Sequence, residues 1–179
     1  MKKLIYIFAA FLVVSNANAQ SLEDIKNQMV KDWQRAKEYT LEYLNTMPAD
    51  KYTFKATDSV RSFAQQMLHL ANGNVFLVSQ SLPNEPRPSW FSFTLEQRAS
   101  AHAKDSVVKY VSESYDWVIK TIQNTPTSKW NEKTKVFGSL EETAFNMLNK
   151  AFEHQSHHRG QTTIYIRLVG VRPPQERLF

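Results

Sequence analysis

The 179-residue chain has no cysteine and only four glycines. Without cysteine there can be no disulfide scaffold and no thiolate-ligated zinc or iron–sulfur site. Nor is there a glycine-rich phosphate loop, a nucleophilic-serine motif or an evident carboxylate dyad. The longest apolar run, Leu4 to Val14, falls short of the about 20 residues a transmembrane helix needs. Charge of one sign is also lacking. The excess of 22 basic over 17 acidic residues is small and the acidic residues are interspersed, so the chain lacks the clustered basic face of a nucleic-acid binder. With 42% apolar and 22% charged residues, there is enough material for one hydrophobic core, and at roughly 150 residues per domain the length allows one compact domain.

The N-terminus carries an address. Lys2 and Lys3 precede the apolar run, which is followed by Ser15-Asn16 and the small-x-small sequence Ala17-Asn18-Ala19. This order of charge, apolar core and cleavage site predicts a signal peptide over residues 1–19 and a mature domain over 20–179, exported to the periplasm or secreted. Loss of Lys2 and Lys3 lowers the formal charge from +5 to +3. No cysteine follows the run, so no membrane anchor is expected after cleavage.

The mature chain reads as four helices. Ser21 to Asp24 forms a capping-box start, and Leu22, Ile25, Met29, Trp33, Ala36, Thr40 and Leu44 recur in steps of three and four up to Pro48. A second helix is predicted to open at Asp58-Ser59 and to stop near Ser81, before Pro83, Pro86 and Pro88. A long connection from Leu82 to Lys104, with a short turn of helix at Thr94 to Gln97, suggests a crossover. A third helix is expected over Asp105 to Gln123. A fourth should begin at Ser139 through a Ser139/Glu142 capping box and run towards Val169, with Gly170 as its C-terminal cap. All seven prolines lie outside these stretches, and no sustained period-two alternation appears. The expected fold class is all-α, a four-helix bundle with a long crossover between helices 2 and 3.

The five histidines are the chemical feature of the chain. Three lie in Glu153-His154-Gln155-Ser156-His157-His158-Arg159-Gly160-Gln161. On a helix, positions 154 and 158 project side by side and can meet one cation. Periodicity places His158 with Leu140, Met147, Ala151 and Tyr165, and His154 close to it, while His157 falls at the rim. A third ligand must come from elsewhere. His69, in Met67-Leu68-His69-Leu70-Ala71, is the other histidine in a strongly apolar stretch, and it reads equally as a hydrogen-bonded core residue. His102, among Ser100, Ala101 and Lys104, reads as solvent-exposed.

Met47-Pro48-Ala49-Asp50-Lys51-Tyr52, Asp58 to Phe63 and Leu68-His69-Leu70-Ala71 resemble the DinB-like family of bacterial metal-binding four-helix bundles. So do the H-x-x-x-H-R-G-Q element at His154–Gln161, Tyr165-Ile166-Arg167 and Gly170 to Pro174. The likeness runs from Ser21 to Pro174. It implies a divalent metal ion, zinc or nickel, held by His69, His154 and His158. It also implies a small-molecule substrate or ligand, and homodimerisation is a further expectation. Relatives include thiol-dependent transferases and isomerases as well as proteins described as hydrolases. Because the thiols used by the former are cytoplasmic, the export sequence favours a metal-dependent hydrolase or a non-catalytic metal- or ligand-binding module. His157 and Arg159 are candidate catalytic residues for orienting an anion or moving a proton, with Glu153 and Gln161 as their neighbours or partners of the ligands. Since neutral imidazole is the ligand form, metal affinity is expected to fall as the pH drops through about 6.5.

Overall fold

The structure is a computed structural model that describes residues 20–83 and 85–179. Residues 1–19, expected to direct export, therefore lie outside the described residues. Among those described, no helix is long and apolar enough to cross a membrane.

Helix α1 spans Leu22–Thr46 and α2 spans Phe63–Ser79, followed by α3 at Lys104–Asn124 and α4 at Ala144–Leu168. The expected capping box starts α1: the Ser21 hydroxyl accepts from the Asp24 amide at 3.0 Å, and the Asp24 carboxylate accepts in return from the Ser21 amide. On its inner stripe Trp33, Ala36, Thr40 and Leu44 are fully buried. Helix α2 is apolar on nearly every side and packs against both α3 and α4, whereas α1 covers α3 and α4 from the other side. The bundle expected from sequence is present.

Two helix starts differ from expectation. Helix α2 opens at Phe63, because Ser62 and Gln65 form the reciprocal capping box that Asp58-Ser59 cannot complete. The amides of Phe63 and Ala64 are taken by the carbonyls of Phe54 and Tyr52, at 3.0 and 2.8 Å. Residues 55–61 are thereby left as a loop beside the bundle. Helix α4 opens at Ala144, with Thr143 as its N-cap. The Ser139/Glu142 stretch belongs instead to an antiparallel hairpin, β1 (Lys133–Val136) with β2 (Leu140–Thr143), in the register Lys133 with Thr143. Phe137 and Gly138, at φ 50° and 80°, turn the chain between the strands. Glu142 accepts from the Thr143 amide and from Asn146, and it pairs with Lys150, so its carboxylate is committed to the true helix start.

The crossover from α2 to α3 carries two single turns of 3-10 helix, Leu95–Gln97 and Ala99–Ala101. Its first turn packs against α2. At the far end of α4, Gly170 adopts φ 80°, and the Val171 amide reaches back to the Ile166 carbonyl at 3.1 Å, which stops the helix before Pro173.

Candidate metal centre

His69 projects from α2, and His154 and His158 project one turn apart from the facing side of α4. Their ring centroids lie 5.3 Å (His69 to His154), 4.5 Å (His69 to His158) and 4.4 Å (His154 to His158) apart. One nitrogen of each lies within 4.8 Å of the others, a spacing that can hold a metal ion. The ring of His154 fits where α2 lacks a side chain: a Cβ on Gly73 would stand 2.1 Å from His154 Cε1. A glycine in a helix interior costs about 1 kcal/mol relative to alanine, and here the space it leaves is occupied by an imidazole.

The donor set fits a cation. Nδ1 of His154 and Nδ1 of His158 are buried with no hydrogen-bond partner, an arrangement that is costly unless something else satisfies the ring. His69 differs, since its Nδ1 lies 3.2 Å from Glu96 Oε2. A neutral imidazole that donates from Nδ1 leaves Nε2 as its free lone pair, and a carboxylate behind a ligating histidine fixes its tautomer and raises its basicity. Glu96 is itself held in place. Arg61 Nε donates to Oε2 at 2.8 Å, and His102 Nε2 meets the Glu96 backbone carbonyl at 2.9 Å. His102 is thus half-buried and anchors the Glu96 turn, contrary to the solvent-exposed position expected for it.

Burial is the main cause that keeps these imidazoles neutral. It pushes His154 down to about 4 and His158 down to about 3, helped by the neighbouring histidines and Arg61. His69 is lowered as well, by burial and then Arg61, against the opposing pull of Glu96. An unfolded chain would protonate these groups at about 6.5. The metal-free protein therefore has its full stability above about pH 6.5 and loses it progressively as the pH falls towards the folded-state values, because the unfolded state then binds more protons. Thermal melts of metal-free wild type are expected to show this acid loss, and His158→Ala should show a shallower one. An identical pH slope in the two would contradict the burial of the ring. Metal retention is likewise expected to persist below about pH 6.5, which revises the sequence-based value.

Two cavities flank the cluster. On one side a cleft of about 790 Å³ is bordered by His158, His157, Gln161 and Tyr165 of α4 and by Lys55, Asp58 and Arg61 of the loop before α2. On the other a pocket of about 210 Å³ is lined by His69, His154 and aromatic residues.

The remaining candidates separate along α4. His157 is exposed, with Nε2 2.9 Å from Gln161 Nε2, and stands at the rim of the cleft, as periodicity placed it. Arg159 does not face the cluster. It is buried on the α1 side, where Nη1 donates to Gln155 Oε1 at 2.7 Å and the guanidinium lies 4.7 Å over Tyr39, so it is committed to the core. Glu153 is exposed. Glu96 supplies the carboxylate behind a histidine that Glu153 was expected to supply. Glu96→Gln keeps a polar group but removes the charge, and metal affinity is expected to fall about 10- to 100-fold. Competition against a chromophoric chelator would measure it, and unchanged affinity would remove Glu96 from the centre.

Sequence reasoning missed Glu96 and Gly73. The first carries no spacing relation to the histidines. The second had a signal, an isolated glycine in a helical run four residues, about one turn, after His69.

A helical bundle with three histidines converging from two helices defines a class of protein whose facing helices could hold a metal ion between them. The family model "DinB family" matches residues 16–177, and the chain belongs to that family. Among solved structures it is similar to a DinB-like protein from Bacillus cereus ATCC 10987, with a TM-score of 0.67 at 13% identity, covering 83% of this chain and 95% of that one. A DinB-like protein from Bacillus subtilis superposes with a TM-score of 0.60 at 16% identity, covering 85% and 96%. At these identities the likeness is one of fold. No curated protein matches the chain in sequence.

Proposed function

We propose that this protein is an exported metal-dependent hydrolase that binds one divalent ion, zinc or nickel, through His69, His154 and His158. The observation that carries the reading is the combination of three converging imidazoles, no fourth histidine or carboxylate in the cluster among the described residues, and a broad polar cleft beside His158. Three protein ligands with room for a small molecule are the pattern of catalytic rather than closed structural sites. An ion so held supplies Lewis acidity, lowering the pKa of a bound water towards neutrality. The chain's own residues do the rest. Glu96 orients His69, and burial holds His154 and His158 in the neutral form that ligates. His157, steadied by Gln161 at the rim of the cleft, is positioned to carry a proton between a substrate and solvent. Arg61 and Lys55 offer positive charge along the same cleft, with Asp58 opposing them. Lys2-Lys3, the run Leu4 to Val14 and Ala17-Asn18-Ala19 support export.

The test is elemental analysis of mature protein, then a panel of ester, amide and phosphoester substrates with and without the bound metal. Metal-dependent turnover that falls in His157→Ala while metal content is retained is the expected result. Stoichiometric metal without turnover would convert the reading to a non-catalytic binding module, and turnover only with an added thiol would convert it to a thiol transferase. An intact mass lacking residues 1–19 is expected for protein from the native envelope, and retention of Met1 in soluble cytoplasm would overturn export.

A further inference from the structure

The two flanking cavities differ in chemistry, and they divide the histidines between them. His158 lines the cleft, whereas His69 and His154 line the pocket, and Glu96 borders both. Besides the histidines, that shared edge, Asn72 and Gly73, the pocket is walled by Phe76 and Leu77 of α2 and by Phe91 and Phe93 of the crossover. The aromatic wall is ordered. Phe93 meets Phe76 and Phe91 edge to face, each at 5.4 Å, and the Arg87 guanidinium lies 4.9 Å from the Phe91 ring while its Nε donates to Ser79 Oγ at 2.9 Å. Asn72 on α2 donates to the Ser92 carbonyl at 2.8 Å, which ties the middle of the Phe91–Phe93 segment to the helix that carries His69. Phe93 nevertheless remains 68% exposed. An aromatic side chain fixed at the mouth of a pocket and still facing water has apolar surface available for a ligand.

We propose that this pocket receives a single aromatic ring of the molecule whose polar portion lies in the cleft, so that the substrates are aryl-substituted compounds with a hydrolysable group between the ring and a polar remainder. The proposal rests on the metal reading above. Size and shape select the occupant. A cavity of about 150 Å³ lined by aliphatic and aromatic side chains holds one benzene, and this pocket, at about 210 Å³, suits one ring with a short substituent. Edge-to-face walls favour a further aromatic ring, because ring edges are positive and ring faces negative. The cleft, bordered by Lys55, Asp58, Arg61, Gln161 and Tyr165, is a poor environment for that ring and a good one for the polar remainder.

The test compares benzohydroxamic acid with acetohydroxamic acid on zinc-loaded mature protein by titration calorimetry. The two share a metal-binding head and differ in the ring. Zinc content is measured first, and a dialysed protein that holds no zinc would overturn the metal reading itself. On zinc-loaded wild type, benzohydroxamic acid is expected to bind at least about tenfold more tightly, which at 1.4 kcal/mol per decade is a modest part of a buried ring's transfer energy. Leu77→Trp, which fills the pocket, should abolish that preference while leaving acetohydroxamic acid within about twofold. Phe91→Ala, which removes a wall instead, should also reduce it. Equal binding of the two compounds, failure of both to bind zinc-loaded protein, or a preference unchanged in both variants would overturn the pocket assignment and leave the metal centre standing.

Discussion

His158→Ala is expected to lower divalent-metal affinity by more than about 100-fold, since even partners behind a ligand are worth about 10- to 100-fold. His158 stands nearest both other rings, 4.4 and 4.5 Å centroid to centroid, so its loss leaves two donors that cannot surround an ion. His102→Ala acts only through the Glu96 carbonyl and should cost about tenfold at most. His69→Ala separates two consequences, because His69 stands on α2 and the other two histidines share α4. An ion bound only by the folded state at about 1,000 times its dissociation constant stabilises it by about 4 kcal/mol. For a domain of this size that is a rise in melting temperature of roughly 8 to 16 °C. Wild type should show the rise, and His69→Ala should lose most of it. Full metal-dependent stabilisation in His69→Ala would mean that the ion does not join the two helices, and equal metal content in wild type and His158→Ala would remove the site.

Gly73→Ala is expected to be nearly as damaging as removal of His154, although it deletes nothing. The new methyl group would lie 2.1 Å from His154 Cε1 and 2.5 Å from Nδ1, and the rigid ring has to leave its place. Helix propensity works in the opposite direction, gaining up to about 1 kcal/mol, so the melting temperature of the metal-free protein should change little while metal affinity collapses. Gly160→Ala is the control. No atom lies within 4 Å of its Cβ position, on the exposed side of α4, and it should keep metal affinity with stability unchanged or raised. Retained metal binding in Gly73→Ala would show that His154 can ligate from another position.

The bundle was legible because long amphipathic stripes and prolines outside them leave little choice of element, and Trp33, Ala36, Thr40 and Leu44 sit where their spacing puts them. The start of α2 was less so. Ser59 and Ser62 are equivalent as hydroxyls, and the choice falls on the one with a glutamine three residues on and with backbone carbonyls at Tyr52 and Phe54 to take the next amides. The hairpin has four-residue strands, too short for alternation to register, and its Ser139-x-x-Glu142 sequence mimics a helix start. At the site, His154 and His158 lie side by side as their spacing predicted, and His69, which the sequence read equally as a core residue and only the family likeness grouped with them, lies close to both. The orientation of Arg159 was not readable, because one step of 100° separates the ligand face of α4 from the face packed on α1. Glu96 was hidden for another reason: its approach to His69 depends on how the crossover folds back over α2.

The crossover brings unlike elements onto one short segment. It holds Phe91 and Phe93 of the pocket, Glu96 behind His69 and His102 that braces Glu96, yet none of the three converging histidines. On the proposed function, changes confined to residues 82–103 would therefore alter which molecule is accepted and how tightly an ion is held, while the helices that carry the three histidines stay as they are. For protein engineers this makes the loop a replaceable cassette: grafting alternative crossovers onto the same four helices is a route to new selectivities that leaves the histidine scaffold untouched.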